Sequence, residues 1–277
     1  MDLTNLIWPV GSLSVMGIVF GAALAYASQK FEVAVDNRVE AIDAILPQAN
    51  CGACGYPGCA SYAEAVVGGE VVSLCSVGGA PVTAKIAKIM GVDNVDEAKR
   101  MVAKVKCMGG NNCIDDAVYE GLEGCLAKTF VAGGPKSCKY GCLGDGDCVD
   151  VCEFDALHIN ELGVAQVDPD NCVGCTLCVA ACPKHLIEMV PDSCRVHVLC
   201  KNEELGGHVK KNCSVACIGC KLCEKACKFD AIHVIDNLAR IDYDKCTNCM
   251  ACVKVCPTKA IEGILPQKKV LDAVESA

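Results

Sequence analysis

The sequence predicts an α+β chain: one long apolar helix, a small helical unit, then a tandem of short β-α-β units. Three observations carry this. Residues from Leu3 to Gln29 include no charged side chain. The 277 residues hold 26 cysteines, grouped in runs of fixed spacing. The segments between those runs repeat: Cys152-Glu153-Phe154-Asp155-Ala156-Leu157-His158-Ile159 returns as Cys227-Lys228-Phe229-Asp230-Ala231-Ile232-His233-Val234.

The apolar stretch has the roughly 20 residues a helix needs to cross hydrocarbon, with Trp8 and Tyr26 near its ends as interface anchors. A cleavable signal peptide is the rival, but Asp2 precedes the span with no lysine or arginine. We therefore expect a transmembrane anchor over residues 1–29. Lys30 and Arg38 follow the span, which places the main body on the cytoplasmic side of the cell membrane. A lone helix without an ionisable residue offers no ion pathway of its own.

Residues 30–90 form the second unit. Val35, Val39, Ile42 and Leu46 share one face of a short helix that Pro47 stops. Cys51, Cys54, Cys59 and Cys75 follow, with a helical stretch starting near Ser61. A further helix opens at Pro81, and a run from Val95 to Val105 reads as helical too. Residues 91–137 connect this unit to the first β-α-β module at 138–190. An insert at 191–212 leads to the second module at 213–265, and 266–277 form a tail. Each module should contain a hairpin, with Ala165-Gln166-Val167 and Leu238-Ala239-Arg240-Ile241 as return strands.

The cysteine spacing identifies the chemistry. Cys172-Cys175-Cys178-Cys182-Pro183 and Cys246-Cys249-Cys252-Cys256-Pro257 are full C-x2-C-x2-C-x3-C-P runs, and Cys217-Cys220-Cys223-Cys227 lacks only the proline. Such runs hold 4Fe-4S clusters, three thiolates on one cluster and the fourth on its neighbour. Disulfides give no reason for the repeated spacing, and four-cysteine zinc sites usually pair two separated C-x2-C knuckles. An aromatic content of 4% with 26 glycines fits interiors filled by inorganic cores. The formal charge of -9, with roughly two further negative charges per oxidised cluster, argues against nucleic acid as a partner.

The crossed pattern assigns ligands as follows. Cluster 1 takes Cys51, Cys54, Cys59 and Cys75. Cluster 3 takes Cys152, Cys172, Cys175 and Cys178. Cluster 4 takes Cys217, Cys220, Cys223 and Cys256, and cluster 5 takes Cys227, Cys246, Cys249 and Cys252. Cluster 2 is irregular, with Cys142, Cys148 and Cys182, and Cys138 as the nearest fourth ligand. Among the remaining cysteines, Cys107, Cys125, Cys200 and Cys213 suggest a sixth cluster, against buried thiols as the alternative. Cys138 and Cys213 could exchange roles, and Cys113 and Cys194 look spare. His158 and His233 fit structural roles better than ligation, and Phe154 and Phe229 fit shielding of clusters from water. The chain shows no nucleotide-binding glycine fingerprint and no acid, base or nucleophile pair.

The anchor, the Cys51-Gly52-Ala53-Cys54-Gly55-Tyr56-Pro57-Gly58-Cys59 segment and the tandem modules together resemble the B subunit family of the Rnf complex, the ion-translocating ferredoxin:NAD oxidoreductase. The resemblance covers nearly the whole chain, in the long version found in anaerobes. It implies an electron-transfer subunit of an oxidoreductase complex without a complete active site of its own. Reduced ferredoxin would dock on it, and electrons would pass to membrane partners and a flavin- and NAD-binding subunit while Na+ or H+ is exported elsewhere. Lys210-Lys211 and Lys225-Lys228 are candidate docking positions for acidic ferredoxin. The competing readings are an iron–sulfur subunit of another membrane-associated dehydrogenase or hydrogenase, and a structural metalloprotein.

Overall fold

A computed structural model describes residues 3–30, 36–92 and 99–264. Asp2, Val35, Val95 and the 266–277 tail lie outside the described residues, as does the Trp8 side chain. The first helix, α1 (Leu3–Lys30), is 28 residues long, about 42 Å at 1.5 Å per residue. Its described side chains within 13–27 are almost all exposed. Among the described residues no helix is long and apolar enough to cross a membrane; the described side chains of α1 cover only part of its length.

Three helices build the second unit: α2 (Asn37–Ile45), α3 (Cys59–Val67) and α4 (Gly79–Met90). Asp36 caps α2 by accepting the Arg38 N–H at 2.9 Å. Ile42, Leu46, Tyr62, Val66 and Ile86 form its core. The Tyr62 hydroxyl donates to the Val71 carbonyl at 2.9 Å, so the one large polar group in this core is satisfied.

The Val95–Val105 run is not helical where it is described. Met101–Val105 is a strand, β1, whose register places Ala103 opposite Met189 and Val105 opposite Ile187. Valines at 102 and 105 suit a pleated, half-buried surface, and pairing to a distant strand outweighs a weak helical pattern.

The remainder comprises two repeats. Repeat one adds α5 (Cys125–Phe130), α6 (Asp147–Asp150), β2 (Leu157–Ile159), β3 (Ala165–Val167), α7 (Leu177–Ala181) and β4 (Ile187–Pro191). Repeat two has β5 (Val196–Val198), α8 (Gly206–Asn212), α9 (Leu222–Ala226), β6 (Ile232–Ile235), β7 (Leu238–Ile241), α10 (Ala251–Val255) and β8 (Ile261–Gly263). In each, a hairpin forms one two-stranded sheet, β2–β3 or β6–β7. The last strand pairs with a strand from before the module, β4 with β1 and β8 with β5. The connector and the insert thus each contribute an edge strand.

Backbone hydrogen bonds repeat as well. Lys106 N–H donates to the Leu186 carbonyl at 2.7 Å, and Leu199 N–H to the Ala260 carbonyl at 2.8 Å. Hence Cys107 and Cys200, each one residue further on, occupy equivalent places. The two repeats meet along a polar seam. Lys104 pairs with Glu262 at 2.6 Å, and buried Lys106 donates to the Tyr243 hydroxyl at 2.8 Å. Buried His197 lies 3.1 Å from that same hydroxyl.

Candidate functional site

The cysteine runs fold into loops with a shared backbone. Two and four residues after the first cysteine, φ is positive: Gly174 and Thr176, Gly219 and Lys221, Asn248 and Met250. This alternation turns successive N–H groups toward the inside of the loop, a nest suited to negatively charged sulfur. Gly174 and Gly219 are needed for a second reason. A Cβ on either would lie 2.7 Å from a carbonyl oxygen, that of Met101 or Asn237. The irregular loop after Cys142 has the same shape, with positive φ at Gly144 and Gly146. It is therefore a regular loop in which Asp145 stands where the middle cysteine would be.

Most of these wraps border a cavity lined by thiols. Cys51, Cys54, Cys59 and Cys75 line one. Cys152, Cys172, Cys175 and Cys178 line another, with Phe154 in its wall. Cys227, Cys246, Cys249 and Cys252 line a third, walled by half-exposed Phe229. Cys217, Cys223 and Cys256 share one apolar core, and Cys220 and Cys256 both act electrostatically on the Cys223 thiol. The structure thus places the cysteines of each spacing-derived group near one another. No three His, Cys, Asp or Glu side chains among the described residues converge tightly enough for a single metal ion.

The two irregular groups differ from expectation by one exchange. Cys142, Cys148 and Cys182 line a cavity whose fourth cysteine is Cys125, not Cys138. Cys138 lines the cavity at the seam, with Cys107, Cys200, Cys213 and Cys113. The physical cause is Asp147, whose carboxylate accepts the Cys125 N–H at 2.7 Å and the Leu126 N–H at 2.9 Å. Lys128, one turn along α5, pairs with Asp145. Together they draw Cys125 over the gap left by the missing middle cysteine. The signal is present in the sequence as equal spacing, since Cys142 to Cys148 spans the same distance as Cys172 to Cys178. At the seam each repeat supplies two equivalent thiols, Cys107 and Cys138 from one, Cys200 and Cys213 from the other. Cys113 lines this same cavity and forms an isolated antiparallel β-bridge with Cys213, so it is not remote from the site. Cys194 is, with its thiol 3.9 Å from the Tyr243 carbonyl.

Sulfur is also met by hydrogen-bond donors. Ala103 N–H reaches Cys172 Sγ, Leu186 N–H reaches Cys182 Sγ and Ala231 N–H reaches Cys227 Sγ, each at 3.4 Å. The Asn202 amide reaches Cys138 Sγ at 3.4 Å. Such donors stabilise added negative charge and so raise a cluster's potential. Burial pushes the thiols of Cys148, Cys178 and Cys223 up to about 12, and those of Cys142 and Cys200 up to about 11. Coordination to iron would hold such sulfurs as thiolate. The histidines stay outside: His158 is exposed, and His233 faces Glu224 and Asp230.

Comparisons with known proteins agree with this donor set. An Fe-S cluster family model matches residues 46–77, a 4Fe-4S dicluster domain matches 137–186, and a 4Fe-4S binding domain matches 216–233 and 239–262. The chain is 46% identical over 94% of its length to the B subunit of the Na(+)-translocating ferredoxin:NAD(+) oxidoreductase complex of Acetobacterium woodii, covering 79% of that protein. The chain belongs to the B subunit family of ion-translocating oxidoreductase complexes. Two more family members are similar. The B subunit of the ion-translocating oxidoreductase complex of Methanosarcina acetivorans is 42% identical, with 93% of this chain and 98% of the relative covered. The B subunit of the proton-translocating ferredoxin:NAD(+) oxidoreductase complex of Clostridium ljungdahlii is 42% identical, with 91% and 90% covered. In family terms, residues 137–262 carry ferredoxin-like multi-cluster modules, and the chain is an electron-transfer subunit of an oxidoreductase complex.

Proposed function

We propose that the chain receives electrons from reduced ferredoxin and delivers them to membrane and NAD-binding subunits of its complex, through six 4Fe-4S sites. The observation that carries this is a set of five thiol-lined chambers, with a sixth group of cysteines at Cys217, Cys223 and Cys256 in one apolar core. Ser76, beside Cys75, donates its hydroxyl to the Gly174 carbonyl at 3.3 Å, joining the first chamber to the Cys172 loop. Cys142 N–H reaches Cys107 Sγ at 3.5 Å, joining repeat one to the seam. On the other side Cys200 packs against the core that contains Cys217 and Cys223. The clusters, when bound, supply one-electron storage and transfer. The protein fixes their positions, sets their potentials through N–H donors and buries or half-buries most of the cysteines.

The ligand sets we assign are the four regular ones, with Cys125, Cys142, Cys148 and Cys182 for cluster 2. The seam cluster takes Cys107, Cys138, Cys200 and Cys213. Each repeat gives two of these thiols, and Cys113 has no equivalent in repeat two. The test is iron and acid-labile sulfide in anaerobically purified full-length protein. About 24 of each per chain, four per cubane, supports six sites; a reproducible value of about 20 removes the seam cluster. Cys125→Ala should lose one cluster's signal, and Cys113→Ala none.

We assign α1 as a single-pass anchor with the main body on the cytoplasmic side. Leu13, Ile18 and Leu24 are 69%, 71% and 71% exposed, which suits side chains facing lipid. Deleting residues 3–30 should release the chain from alkaline-washed membranes. Ferredoxin would dock on repeat two, where Cys220 and Cys249 are exposed and Lys221, Lys225 and Lys228 follow closely in sequence.

A further inference from the structure

The segment from Ile114 to Val131 has no counterpart in repeat two, where Cys200 leads to Cys213 by a far shorter path. Its large apolar side chains point outward. Val118, Leu122 and Phe130 are 89%, 80% and 83% exposed, and Ile114, Leu126 and Val131 are more than half exposed. Scattered apolar side chains are ordinary on a surface, whereas a concentration of them on one segment marks a contact site.

The segment is held in place. Ile114 N–H donates to the Asn212 carbonyl at 2.9 Å, Ser137 N–H donates to the Ile114 carbonyl at 2.9 Å, and Asp147 anchors the start of α5. Both ends of the exposed stretch are therefore fixed to the fold, and Lys128 lies over the Tyr119 ring at 5.7 Å between them. Exposed acids lie among the apolar residues: Asp115, Asp116, Glu120 and Glu123. Among the described residues only Asp115 of these forms an ion pair, with Lys136 at 3.2 Å. Lys128 is engaged by Asp145. The rim is thus negative, and Cys125 lies within the same segment.

We propose that this segment docks a redox-active protein subunit whose contact face has an apolar centre and a cationic rim, placing that subunit's redox group beside the Cys125 chamber. The charge decides between occupants. An acidic electron donor or an anionic lipid surface is repelled by the rim, whereas a basic-rimmed protein is attracted. This rests on the reading that the Cys125 chamber holds a cluster. Entry from ferredoxin at repeat two and delivery here would then use opposite charge at opposite repeats.

The test compares amide exchange in the full-length protein alone and in its purified complex. Amides of 114–131 should exchange about tenfold more slowly in the complex, the signature of a buried contact. Two double variants, Glu120→Lys with Glu123→Lys and Leu122→Ser with Phe130→Ser, should each weaken binding to complex prepared without this chain by about tenfold. Only the charge variant's loss should diminish at high salt. Iron content should be unchanged in both. Unchanged exchange, or unchanged affinity in both variants, overturns the proposal. Protection by vesicles of anionic phospholipid alone overturns it in favour of membrane contact. Wild-type protein whose clusters cannot be reduced would instead sink the electron-transfer reading, leaving the exchange result to judge the contact.

Discussion

At the scale of single residues, chemistry is set by backbone as much as by sulfur. Gly174 combines a φ of 74° with a Cβ position 2.7 Å from the Met101 carbonyl oxygen. Gly174→Ala should therefore destabilise the protein by about 1–3 kcal/mol and diminish the signal of the Cys172 cluster, measured by anaerobic urea unfolding and by iron content. His197 offers a pH test. Burial, with Lys104 and Lys106 nearby, lowers it from 6.5 to about 4. The unfolded chain then binds the proton more readily than the folded one. The stability this histidine contributes is complete above about pH 6.5 and falls as pH drops toward about 4, by about 3 kcal/mol at most. Unfolding curves from pH 7.5 to 5.5 should lose stability in the wild type and be flatter in His197→Gln.

At the scale of elements, what is legible in the sequence depends on whether a pattern is local. The hairpins at 157–167 and 232–241, the α2 helix before Pro47 and the regular cysteine wraps depend on near neighbours, and all are where the pattern puts them. The strand at Met101–Val105 depends on β4, more than eighty residues away, and its own pattern reads as helical. The exchange of Cys125 and Cys138 has the same origin. Proximity along the chain favours Cys138, but the Asp147 carboxylate, reached only through the fold, decides for Cys125. Asp147→Ala should therefore unseat α5, costing about 1 kcal/mol as lost helix caps do, and should selectively weaken the spectroscopic signal of the cluster assigned to Cys125. An unaltered signal would separate α5 from that site.

At the scale of the whole molecule, the described residues form four two-stranded sheets in place of any large sheet, and the apolar cores contain cysteine at many positions. The interior depends on what the thiols enclose. Charge is distributed unevenly over this frame, with lysines grouped near Cys220 and acids near Cys125. Charge reversal at Lys225 or Lys228 should slow association with reduced ferredoxin, most strongly at low salt, in stopped-flow measurements. An unchanged rate and salt dependence would move the entry point elsewhere.

The seam chamber also constrains how such a chain can be made. Neither half owns four thiols there, so the cluster proposed for it could be installed only after both halves had left the ribosome and met. Iron supply would then act as a staple between them, with the Lys104–Glu262 pair as a guide that aligns the edges beforehand. Two separately expressed fragments, split in the 191–195 link, should remain apart when mixed without metal and co-elute after anaerobic iron and sulfide treatment. A nascent chain starved of iron would present two loosely hinged lobes, and proteases would find the hinge first.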